Sequence, residues 1–301
     1  MSIAVFGFEE SARQAKALAQ SLNAAFEPIT VRSFPDGESL VRVTGSASLA
    51  LLYRSLDQPN AKLVEVLLAA AALRDNGAAQ VVLIAPYLAY MRQDMAFNPG
   101  EAISQRVIGE LVSAHFDGLV TVDPHLHRVA SLSEVFPGIT ALDVSGAPAL
   151  AAALAGRLQP DTILVGPDSE SRPWVESIAR PPGLDVLVGE KQRFGDRDVT
   201  LVVPGIDAVR GRPAVLVDDM ISSGTTLIAC AGLLRNAGAT SITALATHCL
   251  ASDSDLARLK ENGISEVIAA DSVPGPVATI SLAPVLAQAI AGQCWTEARR
   301  A

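Results

Sequence analysis

AVLVDDMISSGTTL, residues 214–227, joins an apolar strand to a helix through a loop of small hydroxyl residues. Ala214–Val217 reads as a strand buried on both faces, and a helix follows over about 225–236 with Gly238 as its stop. Strand, tight loop and helix in that order form the repeating unit of a parallel α/β sheet, whose ligands sit beyond the carboxyl ends of the strands. Here that end carries Asp218 and Asp219, then Ser222, Ser223, Gly224, Thr225 and Thr226. Backbone N–H groups and the helix N-terminus aim at an anion, and the hydroxyls add donors. Two carboxylates beside a phosphate would repel it unless they face a polyol or a metal. A ribose with vicinal hydroxyls and a 5-phosphate suits both halves of the loop. The plainer alternative, an N-capped helix start, accounts for one hydroxyl but not four. No lysine or arginine lies between Arg212 and Arg235, so an anion here relies on N–H groups, hydroxyls and the helix end.

The same alternation extends in both directions. Strands are expected at 3–7, 49–53, 80–86 and 118–122, with helices at 9–22, 60–76 and 104–115. In the second half, strands are expected at 161–165, 184–188, 198–203, 242–247 and 265–269. Helices are expected there at 147–156, 170–179, 253–262 and 284–291. Strand–helix order at this density predicts an α/β protein with two mostly parallel sheets in series, each flanked by helices. Gly146 and Pro148 punctuate the join, giving domains 1–143 and 144–301.

A length of 301 residues with 50% hydrophobic and 18% charged content supports two packed cores and excludes a disordered chain. The longest apolar candidate, 64–73, falls short of the ~18 residues a membrane-spanning helix needs, so no membrane partner is expected. The N-terminus lacks a basic signal-peptide region and reads as a core strand. A net charge of −9 argues against a nucleic-acid partner bound by bulk charge. Cys230, Cys249 and Cys294 are odd in number and widely spaced, which fits a reducing, cytoplasmic setting. The P-loop pattern GxxxxGK[ST] is absent, which excludes kinase chemistry of that type.

Six further segments carry chemistry. In SFPDGE (33–38), Phe34 offers an aromatic face, and Asp36 and Glu38 flank Gly37 as acceptors; a Pro-Asp-Gly turn is the structural alternative. In PYLAYMRQD (86–94), Arg92 and Gln93 follow a buried strand, and Arg92 supplies forked donors. PGEAIS (99–104) introduces the next helix. VTVDPHLHR (120–128) ends another apolar strand with Asp123 and His125, the latter open to a structural as well as a ligand reading. ILVGPDSESR (163–172) places Asp168 after a strand. In VGEKQRFGDRDV (188–199), Lys191 and Arg193 fall on one face of an extended segment, placed either to hold a transferring diphosphoryl group or as solvated surface charges. The chain has four lysines in all, which gives the Lys191 position added weight.

The 214–227 loop resembles the phosphoribosyl-diphosphate binding loop shared by type I phosphoribosyltransferases and ribose-phosphate pyrophosphokinases. The remaining segments, in order from residue 33, resemble the pyrophosphokinases. That resemblance implies two tandem domains of type I phosphoribosyltransferase-like fold. It also implies transfer of the β,γ-diphosphoryl group of ATP to the 1-hydroxyl of ribose 5-phosphate, leaving AMP. Phe34, Asp36, Gly37, Glu38, Arg92 and Gln93 would then bind the nucleotide. His125 and Asp168 would hold Mg²⁺–ATP, and Lys191 and Arg193 would be catalytic. Asp218, Asp219 and residues 222–226 would bind ribose 5-phosphate. A homodimer or larger homo-oligomer is implied, because family members place part of the nucleotide site near a subunit boundary. The chain departs from the family pattern at Met95, Glu170, Ser222 and Thr225. Two rival readings follow: a type I phosphoribosyltransferase sharing only the second half, and a non-catalytic regulatory homologue, which Glu170 favours and the retained Lys191 and Arg193 oppose.

Overall fold

A computed structural model describes residues 2–295 apart from 127, 130 and 195–197, and the backbone alone over 191–194 and 198–200. The first unit runs β1 (Ile3–Phe8), α1 (Ala12–Ser21), β2 (Ala25–Ser33), β3 (Ser39–Val43), β4 (Leu49–Tyr53), α2 (Pro59–Asp75), β5 (Gln80–Ala85), α3 (Ser104–His115), β6 (Gly118–Val122), α4 (Leu132–Val135) and β7 (Thr140–Val144). Its seven strands lie in the order β3-β2-β1-β4-β5-β6-β7, parallel except for the β2–β3 hairpin. The central strands β4, β5 and β6 are buried along their whole length, as helix-covered parallel strands must be. Phe6, Leu52, Leu83 and Leu119 of the sheet close over Val66 and Leu73 of α2 in one core.

The second unit contains α5 (Ala147–Leu154), β8 (Ile163–Gly166), α6 (Arg172–Ala179), β9 (Asp185–Val188), β10 (Glu190–Phe194), β11 (Asp198–Val202), β12 (Pro213–Ile221), α7 (Thr225–Ala237), β13 (Ser241–Cys249), α8 (Asp253–Glu261), β14 (Glu266–Ala270) and β15 (Ala278–Ile280). Six strands form a parallel sheet in the order β15-β14-β13-β12-β8-β9, while β10 and β11 form a separate antiparallel hairpin. From β8 the chain proceeds outward to β9, and from β12 it proceeds the other way to β13. The β8–β12 gap is therefore the topological switch point of this sheet, where open α/β folds bind ligands.

The last helix, α9 (Ala283–Ala291), lies in the second half by sequence but packs against α1 and β7 of the first unit. The first unit accordingly takes the described residues up to Ser145, Ser272–Pro274 and the described residues from Ser281 onward. Burial of Leu286 and Ile290 supplies the reason, since an amphipathic helix goes where its apolar face is covered. Strand β12 also runs four residues past the expected end at Val217, because its backbone stays paired to β13 as far as Ile221–Cys249. Among the described residues no helix is long and apolar enough to cross a membrane.

Candidate active site

In the second unit Asp168, Asp218, Asp219 and the 222–226 loop lie at the strand ends that flank the switch point. Asp168 follows β8, while Asp218 and Asp219 belong to the last turns of the pleat in the adjacent β12. The three carboxylates repel one another. Burial, then Asp219, then Asp168 push the Asp218 carboxyl up to about 8. Nearby, burial and the Asp218 charge push the Cys230 thiol on α7 up to about 12, so this cysteine is a core thiol and not a nucleophile. Asp168 accepts from the Glu170 N–H at 3.2 Å and caps the short 3₁₀ turn Ser169–Ser171. Glu170 itself is exposed.

The 222–226 loop is built by Gly224, which takes φ +74° and caps α7. A Cβ at this position would stand 2.7 Å from Leu259 Cδ2 of α8, so both the backbone and the packing require glycine. No side-chain hydroxyl caps α7, which removes the simple capping explanation for Ser222, Ser223, Thr225 and Thr226. These four residues are exposed, with Ser223 Oγ and Thr225 Oγ1 3.2 Å apart. One group escaped the sequence reading. Arg258 of α8 donates from Nη2 to the Ser223 carbonyl and to Asp255 Oδ1, bringing a guanidinium to a loop whose own segment has no cation.

In the first unit the other residues fall into two places. Arg92 and Gln93 follow β5, and His125 follows β6; these neighbouring strands place both loops at the carboxyl end of one sheet. Tyr90 and Asp123 take positive φ of 65° and 41°, strain that the surroundings hold in place. The Tyr90 hydroxyl bonds Asn60 Oδ1, its carbonyl accepts from Ser104 Oγ at 3.2 Å, and the Asp123 N–H donates to the Val144 carbonyl at 3.1 Å. Asp94, with a side chain 1% exposed, accepts from Arg128 Nη1 at 2.8 Å and so ties the two loops together. Glu101 accepts from Asn98 Nδ2 at 2.6 Å and from the Phe97 and Asn98 N–H groups, which holds its carboxyl below the usual range and folds the 97–101 turn.

Phe34, Asp36, Gly37 and Glu38 stand apart. They form the exposed tip of the β2–β3 hairpin, where the Gly37 N–H donates to the Phe34 carbonyl and Gly37 takes φ +93°. This is a Pro-Asp-Gly turn in geometry. Three strand spacings, roughly 14 Å, separate β2, which leads into the tip, from β5, which leads into the Arg92 loop. Lys191 and Arg193 lie on β10, in register with Leu201 and Val199 of β11, and their side chains lie outside the described residues. Among the described residues no cluster of three His, Cys, Asp or Glu side chains is gathered to hold a metal unaided.

Comparison with known proteins covers both halves. Residues 3–115 match the N-terminal domain of ribose phosphate pyrophosphokinase, and residues 195–292 match the phosphoribosyl synthetase-associated domain. The chain is 36% identical over 289 residues to a ribose-phosphate pyrophosphokinase of Methanopyrus kandleri, spanning 95% of this chain and 98% of that one. It is 33% identical over 261 residues to the Pyrococcus furiosus ribose-phosphate pyrophosphokinase, spanning 85% and 91%. A crystal structure of phosphoribosylpyrophosphate synthetase from Mycobacterium smegmatis aligns with a TM-score of 0.81 at 28% identity, covering 97% of this chain and 98% of that one. A likeness confined to the second half is thereby excluded.

Proposed function

The chain belongs to the ribose-phosphate pyrophosphokinase family, and we propose how its loops divide the transfer of a diphosphoryl group from ATP to ribose 5-phosphate. Residues 222–226, with Asp218 and Asp219, take ribose 5-phosphate. The observation that carries this reading is an α7 N-terminus capped by glycine, fronted by four exposed hydroxyls, with a pair of carboxylates behind it at the switch point. The loop amides and hydroxyls hold the 5-phosphate, and the carboxylates orient the sugar hydroxyls. Thr226→Val keeps the shape and removes a donor. It is expected to weaken ribose 5-phosphate binding about tenfold in calorimetry, a loss typical of a hydrogen bond to a charged group, with ATP binding kept. An equal loss for both ligands contradicts the assignment.

The donor set fits Mg²⁺. Asp168 stands beside Asp218 and Asp219, and their mutual repulsion is the kind a divalent cation relieves. Magnesium prefers oxygen and is bound through one or two carboxylates together with substrate phosphates. In the second unit Asp168 would hold it, and in the first unit His125 would serve the nucleotide; when bound, the ion neutralises charge on the phosphates. Phosphoryl transfer asks the protein for alignment and for stabilisation of developing charge. Arg92 and Gln93 bind the nucleotide, and Lys191 and Arg193 neutralise charge between nucleophile and leaving group.

The hairpin tip at Phe34–Glu38 serves a nucleotide site from a second copy of the chain. Its separation from the Arg92 loop supports this, since an exposed aromatic and two carboxylates need a base to close over. A homodimer is therefore the expected minimal unit. Light scattering at assay concentration checks it, and a fully active monomer contradicts it.

A further inference from the structure

We propose that Arg258 is a positioning residue for ribose 5-phosphate, acting by fixing the Ser223–Gly224 peptide; the proposal rests on the 222–226 loop being the ribose 5-phosphate site. In a trans peptide the carbonyl and the following N–H point in opposite directions. The Arg258 guanidinium holds the Ser223 carbonyl on the α8 side of the loop, which turns the Gly224 N–H to the other side. Gly224 is the N-cap of α7, so this N–H belongs to the set of unsatisfied donors that makes a helix start attract anions.

Three features of α8 make the clamp. Arg258 reaches the carbonyl, and Asp255 takes the same Nη2 at 3.3 Å. Asp255 is itself fixed, because Ser252 and Asp255 form a reciprocal capping box at the start of α8. Leu259, fully buried, fills the space where any Cβ on Gly224 would lie. The glycine that lets the loop adopt its left-handed conformation would also let the 223–224 peptide turn over. Leu259 restricts the Cα position, and Arg258 restricts the peptide plane. A charge-assisted bond to a backbone carbonyl suits this task, being stronger and more directional than a neutral one.

Arg258→Ala in the full chain tests the proposal. The side chain is 45% exposed, so the protein is expected to fold and melt close to the unsubstituted chain. Affinity for ribose 5-phosphate, measured by calorimetry without ATP, is expected to fall roughly tenfold to thirtyfold. The KM for ATP is expected to stay within about twofold and kcat within about threefold, the pattern of lost ground-state positioning. With glycine-selective ¹⁵N labelling, the Gly224 amide is expected to move on adding ribose 5-phosphate to the unsubstituted chain and to respond much less in the variant. Unchanged ribose 5-phosphate affinity in a folded variant overturns the proposal. So does an equal loss for ATP and ribose 5-phosphate, which marks a merely structural residue. Failure of the underlying site assignment looks different: the unsubstituted chain itself would bind ribose 5-phosphate without any response at Gly224.

Discussion

Lys191→Ala is expected to lower kcat by about a thousandfold and to leave both KM values within about threefold. The dissociating diphosphoryl group gathers negative charge in the transition state, and a cation beside it contributes most at that point. Lys191 and Arg193 sit two positions apart on β10, in a hairpin that stands outside the six-stranded sheet. Such a hairpin can bring two cations to a site without altering the strand pairing of the sheet that holds the other groups. Steady-state kinetics with each substrate saturating reads the effect. An unchanged kcat removes Lys191 from the mechanism.

Asp218→Asn is expected to abolish measurable turnover and at the same time to stabilise the ligand-free protein in a pH-dependent way. The folded carboxyl titrates near 8, against 3.8 in an unfolded chain, so the folded state holds an extra proton between those values. Stability of the parent protein therefore declines as pH rises through that window and levels off above 8. The asparagine variant carries no such penalty. Its melting temperature should match the parent near pH 4 and exceed it by several degrees at pH 8.5, at roughly 2–4 °C per kcal/mol for units of this size. The cause is burial of the Asp218 carboxyl first, then repulsion from Asp219 and Asp168. Added Mg²⁺ with ribose 5-phosphate should raise the parent's melting temperature more at pH 8.5 than at pH 5. A melting difference that is the same at both pH values contradicts the carboxylate cluster as described.

The parts of the fold that were readable in the sequence are those whose burial is uniform. Strands β4, β5, β6 and β8, and β12 as far as Val217, are nearly continuous buried runs because helices cover both faces, and the loops that follow β5, β6, β8 and β12 carry most of the proposed site residues. The hairpin strands β2 and β3 were not legible. Ala25–Ser33 contains Glu27, Pro28 and Arg32, and Ser39–Val43 alternates half-buried with exposed residues. Edge strand β7 mixes Thr140 and Asp143 into five residues for the same reason. The return of α9 to the first unit depends on a surface offered by α1, more than 250 residues earlier, which no local pattern reveals.

Within the site, residues on the strand-end loops announced themselves by type and spacing. Those that brace the loops did not. Arg258 reads locally as one basic residue in the last turn of an amphipathic helix, yet it bonds a carbonyl 35 positions earlier. Asp94 and Arg128 lie 34 positions apart and meet because β5 and β6 are neighbours. The influence of Asp168 on Asp218 likewise needs β8 beside β12. In each case pairing between distant strands creates the contact, and a single sequence does not display it.

The reaction itself is tested most directly by following AMP release from ATP with and without ribose 5-phosphate, in the presence of Mg²⁺. Diphosphoryl transfer predicts AMP and phosphoribosyl diphosphate in equal amounts, with AMP absent when ribose 5-phosphate is withheld. Release of ADP, or AMP formation independent of ribose 5-phosphate, would contradict the transfer of a diphosphoryl group to ribose 5-phosphate.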